Sequence, residues 1–149
     1  MDFIAADLDA LRAVPSNDAL LDSAECREGP TARPDAIPWR VGGYNISTHP
    51  DLVEWTAKLA EAVGARLLFV CGRPAIVAAD DRILGWGRGT HDMVIRAPAS
   101  VAPEIQAQRG HADDRYGPGW LVFPAFLPDL PSPKHVPTVT RWLEAARDA

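Results

Sequence analysis

Residues 67–97, LLFVCGRPAIVAADDRILGWGRGTHDMVIRA, alternate short apolar runs with turn residues and predict four consecutive strands. LLFVC (67–71) is apolar on both faces, as a central strand is, and Gly72-Arg73-Pro74 ends it. AIVAA (75–79) returns, Asp80-Asp81 turns, RILGW (82–86) goes out, and HDMVIRA (91–97) comes back after Gly87, Gly89 and Thr90. Upstream, Leu52, Trp55, Leu59 and Val63 form one apolar stripe, with Glu54, Lys58 and Glu61 opposite. A T-x-x-D capping box from Thr48 to Asp51, Pro50 in the first turn and Gly64 as a stop bound a helix over 50–63.

Further along, a short helix through about Arg109, a polar loop over 110–118 and a strand over 119–126 are expected. A closing helix would bury Val139, Trp142, Leu143 and Ala146. At the other end, Ile4, Leu8 and Leu11 share a helical face within 2–14, and a further helical turn fits 17–25. Residues 26–38 hold Gly29, Pro30, Pro34 and Pro38 without periodicity and read as a connection. WRVGGYNIS (39–47) reads as a short, irregular strand. The pattern predicts an α+β fold of two layers, with an antiparallel or mixed sheet of about five strands under helices. Residues 1–38 form an N-terminal arm and 39–149 the domain.

At 149 residues one buried core is available, and 47% hydrophobic with 23% charged residues is a globular composition. A net charge of −5 with scattered basic residues argues against a nucleic-acid partner. No apolar run approaches the roughly 20 residues of a membrane span. Two cysteines without a leader before them suggest reduced thiols and a cytoplasmic protein.

Strand direction turns the meander into a location. Alternate turns share an edge, so one upper edge would gather Cys71, Arg73, Trp86, Arg88, His91 and Asp92, joined by His111, Asp113, Arg115 and Tyr116 from the 110–118 loop. His91 is the candidate general base, oriented by Asp92 or Asp113, or else a structural histidine at a strand end. Arg73 and Arg88 would recognise an acidic group, with Trp86 or Trp120 as an aromatic wall and His111 and Tyr116 beside them, or else the arginines are solvated and the aromatics core. Cys71 beside Arg73 is a nucleophile candidate against the plainer reading of a small buried hydrophobe. Asp92 and Arg96 can form a distant surface pair. His91, Asp92, His111 and Asp113 are adequate metal ligands chemically, but their spacing supports no metal site, and no cofactor is expected. G-W-G-R-G (85–89) matches neither the dinucleotide nor the P-loop pattern.

HDMVIRAPASVAPEI, GWLVFPAF and TVTRWLEAARDA, taken in order, resemble the strand, short helix, strand and closing helix of the TfoX N-terminal-domain and YjbR-like families, with FVCGRPA at the place of their M-F-G-G. The run Gly89–Ile95 is similar to the G-x-x-H-[LM]-V-[LI] strand of a luciferase-domain-labelled family of uncharacterised bacterial proteins. Over about 50–148, both resemblances imply an α+β fold and neither implies a catalytic motif. The expectation is therefore a binding or accessory protein for an acidic or aromatic small molecule, or for a protein partner. The alternative is a cofactor-independent isomerase, cyclase or lyase using His91. A third reading is an interaction module, with the arm as a surface for a homodimer.

Overall fold

The computed structural model describes residues 4–23, 26, 39–41, 44–46 and 48–149, with backbone alone at 39–46. Of the connection expected over 26–38, all but Cys26 lies outside the described residues. Six strands form a mixed sheet in the order β1-β4-β5-β6-β7-β8: β1 Ile4–Ala5, β4 Arg66–Val70, β5 Arg73–Val77, β6 Ile83–Arg88, β7 Asp92–Arg96 and β8 Trp120–Pro124. The predicted meander is present as β4 to β7, each strand antiparallel to the next, and β8 extends it by pairing antiparallel with β7. β2 Trp39–Val41 and β3 Tyr44–Ile46 make a separate antiparallel hairpin where one irregular strand was expected.

Two long helices cover the first face of the sheet. Helix α3, Pro50–Val63, runs to the stop at Gly64, whose φ of 72° suits a residue without Cβ. Its N-cap differs from expectation: His49 Nδ1 accepts the Asp51 N–H at 3.1 Å, while Thr48 donates to the Gly87 carbonyl at 3.2 Å. Helix α5, His135–Asp148, buries Val139, Trp142, Leu143 and Ala146, as its stripe predicts. Short helix α4, Ala102–Ala107, adds Ile105 to the same core. Trp55 is only partly buried and packs on Phe126, with ring centroids 5.3 Å apart.

Gly85 and Gly87, two of the three glycines of the G-W-G-R-G string, leave no room for a side chain. A Cβ on Gly85 would stand 2.7 Å from the Val94 carbonyl oxygen. One on Gly87 would meet Pro74 and Thr56 at 3.1 Å. Gly85 is thus crowded by the backbone of β7 and Gly87 by Pro74 of β5 and Thr56 of α3, which is why neither carries a side chain.

The second face has its own core, in which Leu11, Leu20 and Leu21 of the arm meet Trp86, Val94, Tyr116, Trp120 and Val122. The expected 2–14 helix is instead β1, parallel to β4 through Ile4↔Leu68 and Ala5↔Phe69, followed by α1, Leu8–Arg12. Asp7 caps α1 by accepting from the Asp9 and Ala10 N–H groups. A 3-10 turn, Pro15–Asn17, leads into α2, Asp18–Leu21. Buried Asn17 pins the arm: it donates to the Leu11 and Asp81 carbonyls at 2.9 and 2.8 Å and accepts the Ile83 N–H at 2.9 Å. Arg96 adds a bond to the Ser16 carbonyl at 2.9 Å. The arm therefore docks on its own sheet.

Candidate functional site

Two turns build the upper edge. Cys71 and Gly72 connect paired residues Val70 and Arg73, and both have positive φ, 52° and 78°. Two-residue hairpin turns of this hand favour Asn-Gly or Gly-Gly. A cysteine in the left-handed region costs about 1–2 kcal/mol. The second turn, Gly89-Thr90-His91, joins paired Arg88 and Asp92, and Gly89 takes the positive φ of 64°. The Gly89 carbonyl accepts the His49 N–H at 2.8 Å, tying the start of α3 to this turn.

The 110–118 loop does not perch on that edge as expected. It passes β8 at a His111–Val122 bridge and then lies over the second face. Asp113 holds it in shape by accepting the Arg115 N–H two residues on, at 3.0 Å, the local turn that aspartate favours. Asp113 also accepts a fork from the Arg115 side chain, with Arg115 Nη2 at 2.6 Å, and lies 3.5 Å from Arg88 Nη1. The Arg115 hydrogen bonds, aided by the charges of Arg115 and Arg88, hold the Asp113 carboxyl well below the usual carboxylate range, although burial works against them.

Behind this group, guanidinium and aromatic groups alternate. Arg88 and Arg115 sit 5.9 and 6.0 Å from the Tyr116 ring centre, and Tyr116 meets Trp86 edge-on at 6.3 Å. Buried Arg73 lies 5.5 Å from the Trp86 ring and donates to the Cys71 carbonyl at 3.0 Å. The aromatic neighbours favour these cations electrostatically and fix their orientation.

The structure thus brings Arg88, Asp113 and Tyr116 together, backed by Arg73 and Trp86. Several expectations are corrected. Trp86 and Tyr116 are buried in the second core, so neither is an exposed ligand wall. Trp120 is buried at the lower end of the sheet opposite Arg96, whose guanidinium stands 4.6 Å from its ring, because β8 begins there and runs upward. Burial, then repulsion from Arg82, pushes the Arg96 guanidinium below its ordinary range.

Cys71 is disulfide-bonded to Cys26, with Cα atoms 5.0 Å apart, so it is not a thiolate nucleophile and the expected reduced pair is absent. Having only two cysteines in the chain was the available signal for this partnership.

His91 is 68% exposed on its turn, with Nε2 3.8 Å from Asp92 and Nδ1 2.9 Å from the Thr90 hydroxyl. Asp113 is engaged by the arginines and does not orient it. His111 is exposed at the β8 edge, its Nδ1 3.3 Å from the Arg109 carbonyl. His91, Asp92, His111 and Asp113 form no three-ligand cluster among the described residues. Asp92 neighbours His91 rather than Arg96.

The lower edge is polar too, but its charges are structural. Arg82 pairs with Asp80 at 2.7 Å and donates to the carbonyls of Ala146, Arg147 and Ala149, closing the C-terminus of α5. Arg147 donates to the Val63 carbonyl at 2.7 Å and closes α3 in the same way. Arg66 pairs with Asp81 at 2.6 Å. Neither of two described concavities is lined by Arg88, Asp113, Arg115 or Tyr116. One of about 550 Å³ runs between α3 and β4 past Ala57, Lys58, Glu61 and Leu67. The other, about 240 Å³, is walled by Leu8, Arg12, Leu21 and the disulfide.

Among the described residues, no helix is long and apolar enough to cross a membrane. Compared with known families, curated proteins and solved structures, the chain matches none.

Proposed function

We propose that the protein is a binding or accessory protein that takes an acidic small molecule, or an acidic group of a protein partner, beside Asp113. The observation supporting this reading is that Arg88 and Arg115 both face the Asp113 carboxylate, with the Arg115 side chain 41% exposed. A guanidinium presents a fixed fork that matches carboxylate and phosphate oxygens, and the exposed part of Arg115 is where such a group would approach. Tyr116 and the Asp113 turn hold both cations in place, which lowers the ordering cost of binding. The ligand is acidic rather than aromatic, since Trp86 and Trp120 are enclosed.

The proton-transfer reading rests on His91 standing beside Asp92. Its 68% exposure supplies no enclosure for a base, so binding ranks first. Resemblance to the TfoX N-terminal-domain, YjbR-like and luciferase-domain-labelled families adds no catalytic group. A homodimer through the arm is no part of this proposal, because Leu11, Leu20 and Leu21 are used on the arm's own sheet. The expected cytoplasmic setting fits only a transient disulfide, since lasting ones are rare there.

Calorimetric titration with succinate and inorganic phosphate tests the reading. Saturable binding that Arg115→Ala weakens at least about tenfold, a loss of about 1.4 kcal/mol, supports it. Binding by neither anion, or binding indifferent to Arg115, contradicts it.

A further inference from the structure

We propose that the Cys26–Cys71 disulfide is a thiol-exchange site, a reducible latch that holds the N-terminal arm over the second face of the sheet. Four observations carry it, all independent of anion binding.

The bond joins Cys26 of the arm to the β4–β5 turn across a sequence separation of 45 residues, adding a covalent tie to the β1 pairing and the side-chain packing. The arm needs such a tether. Helices α1 and α2 span only 5 and 4 residues, too short to persist alone, and β1 pairs through only two positions. The disulfide is approachable, since it walls the cavity of about 240 Å³ beside Leu8, which is 50% exposed. Finally, two arginines lie in the neighbourhood of the bond. Arg12, held by Asp22 at 2.6 Å and Asp18 at 3.7 Å, lines the cavity, and Arg73 donates to the Cys71 carbonyl at 3.0 Å. Positive charge near a departing sulfur favours the thiolate and thus exchange.

The co-reactant is a dithiol. One of its thiolates attacks a sulfur of the disulfide; the S–S bond breaks and its electron pair leaves on the other cysteine, which takes up a proton. The second thiol of the reductant then attacks the mixed disulfide and releases the remaining cysteine. Two electrons and two protons pass to the protein, and the reductant departs as a disulfide. With the tether open, the arm is left to Asn17, the Arg96 bond to Ser16, the two β1 positions and the packing of Leu11, Leu20 and Leu21. Segments 4–23 then open more often.

The test uses the full chain purified without reductant, with dithiothreitol as the probe. Before treatment, alkylation under native conditions should label no cysteine. Mild dithiothreitol without denaturant should expose both thiols, and trypsin cleavage after Arg12 should then accelerate at least about tenfold, while cleavage within 66–149 stays unchanged. Cys26→Ser should show the fast Arg12 cleavage without any reductant. Two free thiols at the outset overturn the proposal. Reduction that requires denaturant overturns it too, as does reduction that leaves Arg12 cleavage unaltered. A folded Cys26→Ser protein with a protected arm would do the same.

Discussion

Arg88 and Asp113, 25 residues apart in sequence, meet at 3.5 Å over the second face of the sheet, each side chain largely enclosed. Arg115 closes on the same carboxylate. This relationship joins a turn of the meander to the loop before β8, so it carries both loop order and the proposed anion site.

Removing the carboxylate should therefore loosen the loop. Asp113→Asn is expected to cost about 1–3 kcal/mol at neutral pH, because it replaces hydrogen bonds between charged groups. The pH dependence has a definite sign. Since the folded pKa is depressed, this contribution is fully present above the unfolded value near 4 and is lost as pH falls from there toward the lower folded value. Urea denaturation at pH 7 and at pH 3 should show a smaller gap between wild type and Asp113→Asn at pH 3. A gap that does not change with pH would rule the ion pairing out as its cause.

Asn17 is the polar pin of the arm. Asn17→Ala leaves the Ile83 N–H and the Leu11 carbonyl without their side-chain partner in a buried place, and the partly buried Asp81 carbonyl as well. A loss of about 2–4 kcal/mol is expected, at about 1–3 kcal/mol for each group that water cannot reach. Thermal unfolding of the oxidised protein would measure it. A change below about 0.5 kcal/mol, ordinary for an exposed position, would show that the arm does not depend on this residue.

Much of this fold was readable from the chain, and the failures share a cause. The 50–63 helix lies where its stripe and Gly64 placed it, and β4 to β7 follow the meander within a residue or two. Such elements encode themselves locally, through periodicity and turn chemistry. β1 did not, because its two residues become a strand only by pairing with Leu68 and Phe69 far along the chain. The site was half visible. Strand direction brought Arg88 near Asp113 and Tyr116, yet it could not tell that the loop lies across the second face and buries Trp86 beneath Tyr116. Trp120 was misplaced for a related reason: β8 starts at the lower end, whereas its place in sequence after the loop suggested the top. Arg115 was visible only as one charge in a polar loop, and its role required the Asp113 turn.

The two kinds of glycine in 85–89 should respond differently to substitution. Gly85→Ala forces a Cβ to 2.7 Å from the Val94 oxygen and should cost about 1–3 kcal/mol by overpacking. Gly89 has open space and a φ of 64°, so Gly89→Ala should cost about 1 kcal/mol through its backbone, and Gly89→Asn less than Gly89→Ala. Denaturation midpoints of the three variants would check this. Equal tolerance of alanine and asparagine at position 89 would contradict the backbone explanation.

The central claim is that the arginine pair around Asp113 receives an anion. The most direct measurement is an amide-resolved NMR titration of the oxidised, full-length protein with succinate and with phosphate. The account predicts saturable shifts confined to residues 88–92 and 113–116, with a Kd of about 1 mM or tighter, that disappear in Arg115→Ala. Shifts centred elsewhere, or the same shifts persisting in that variant, would contradict it.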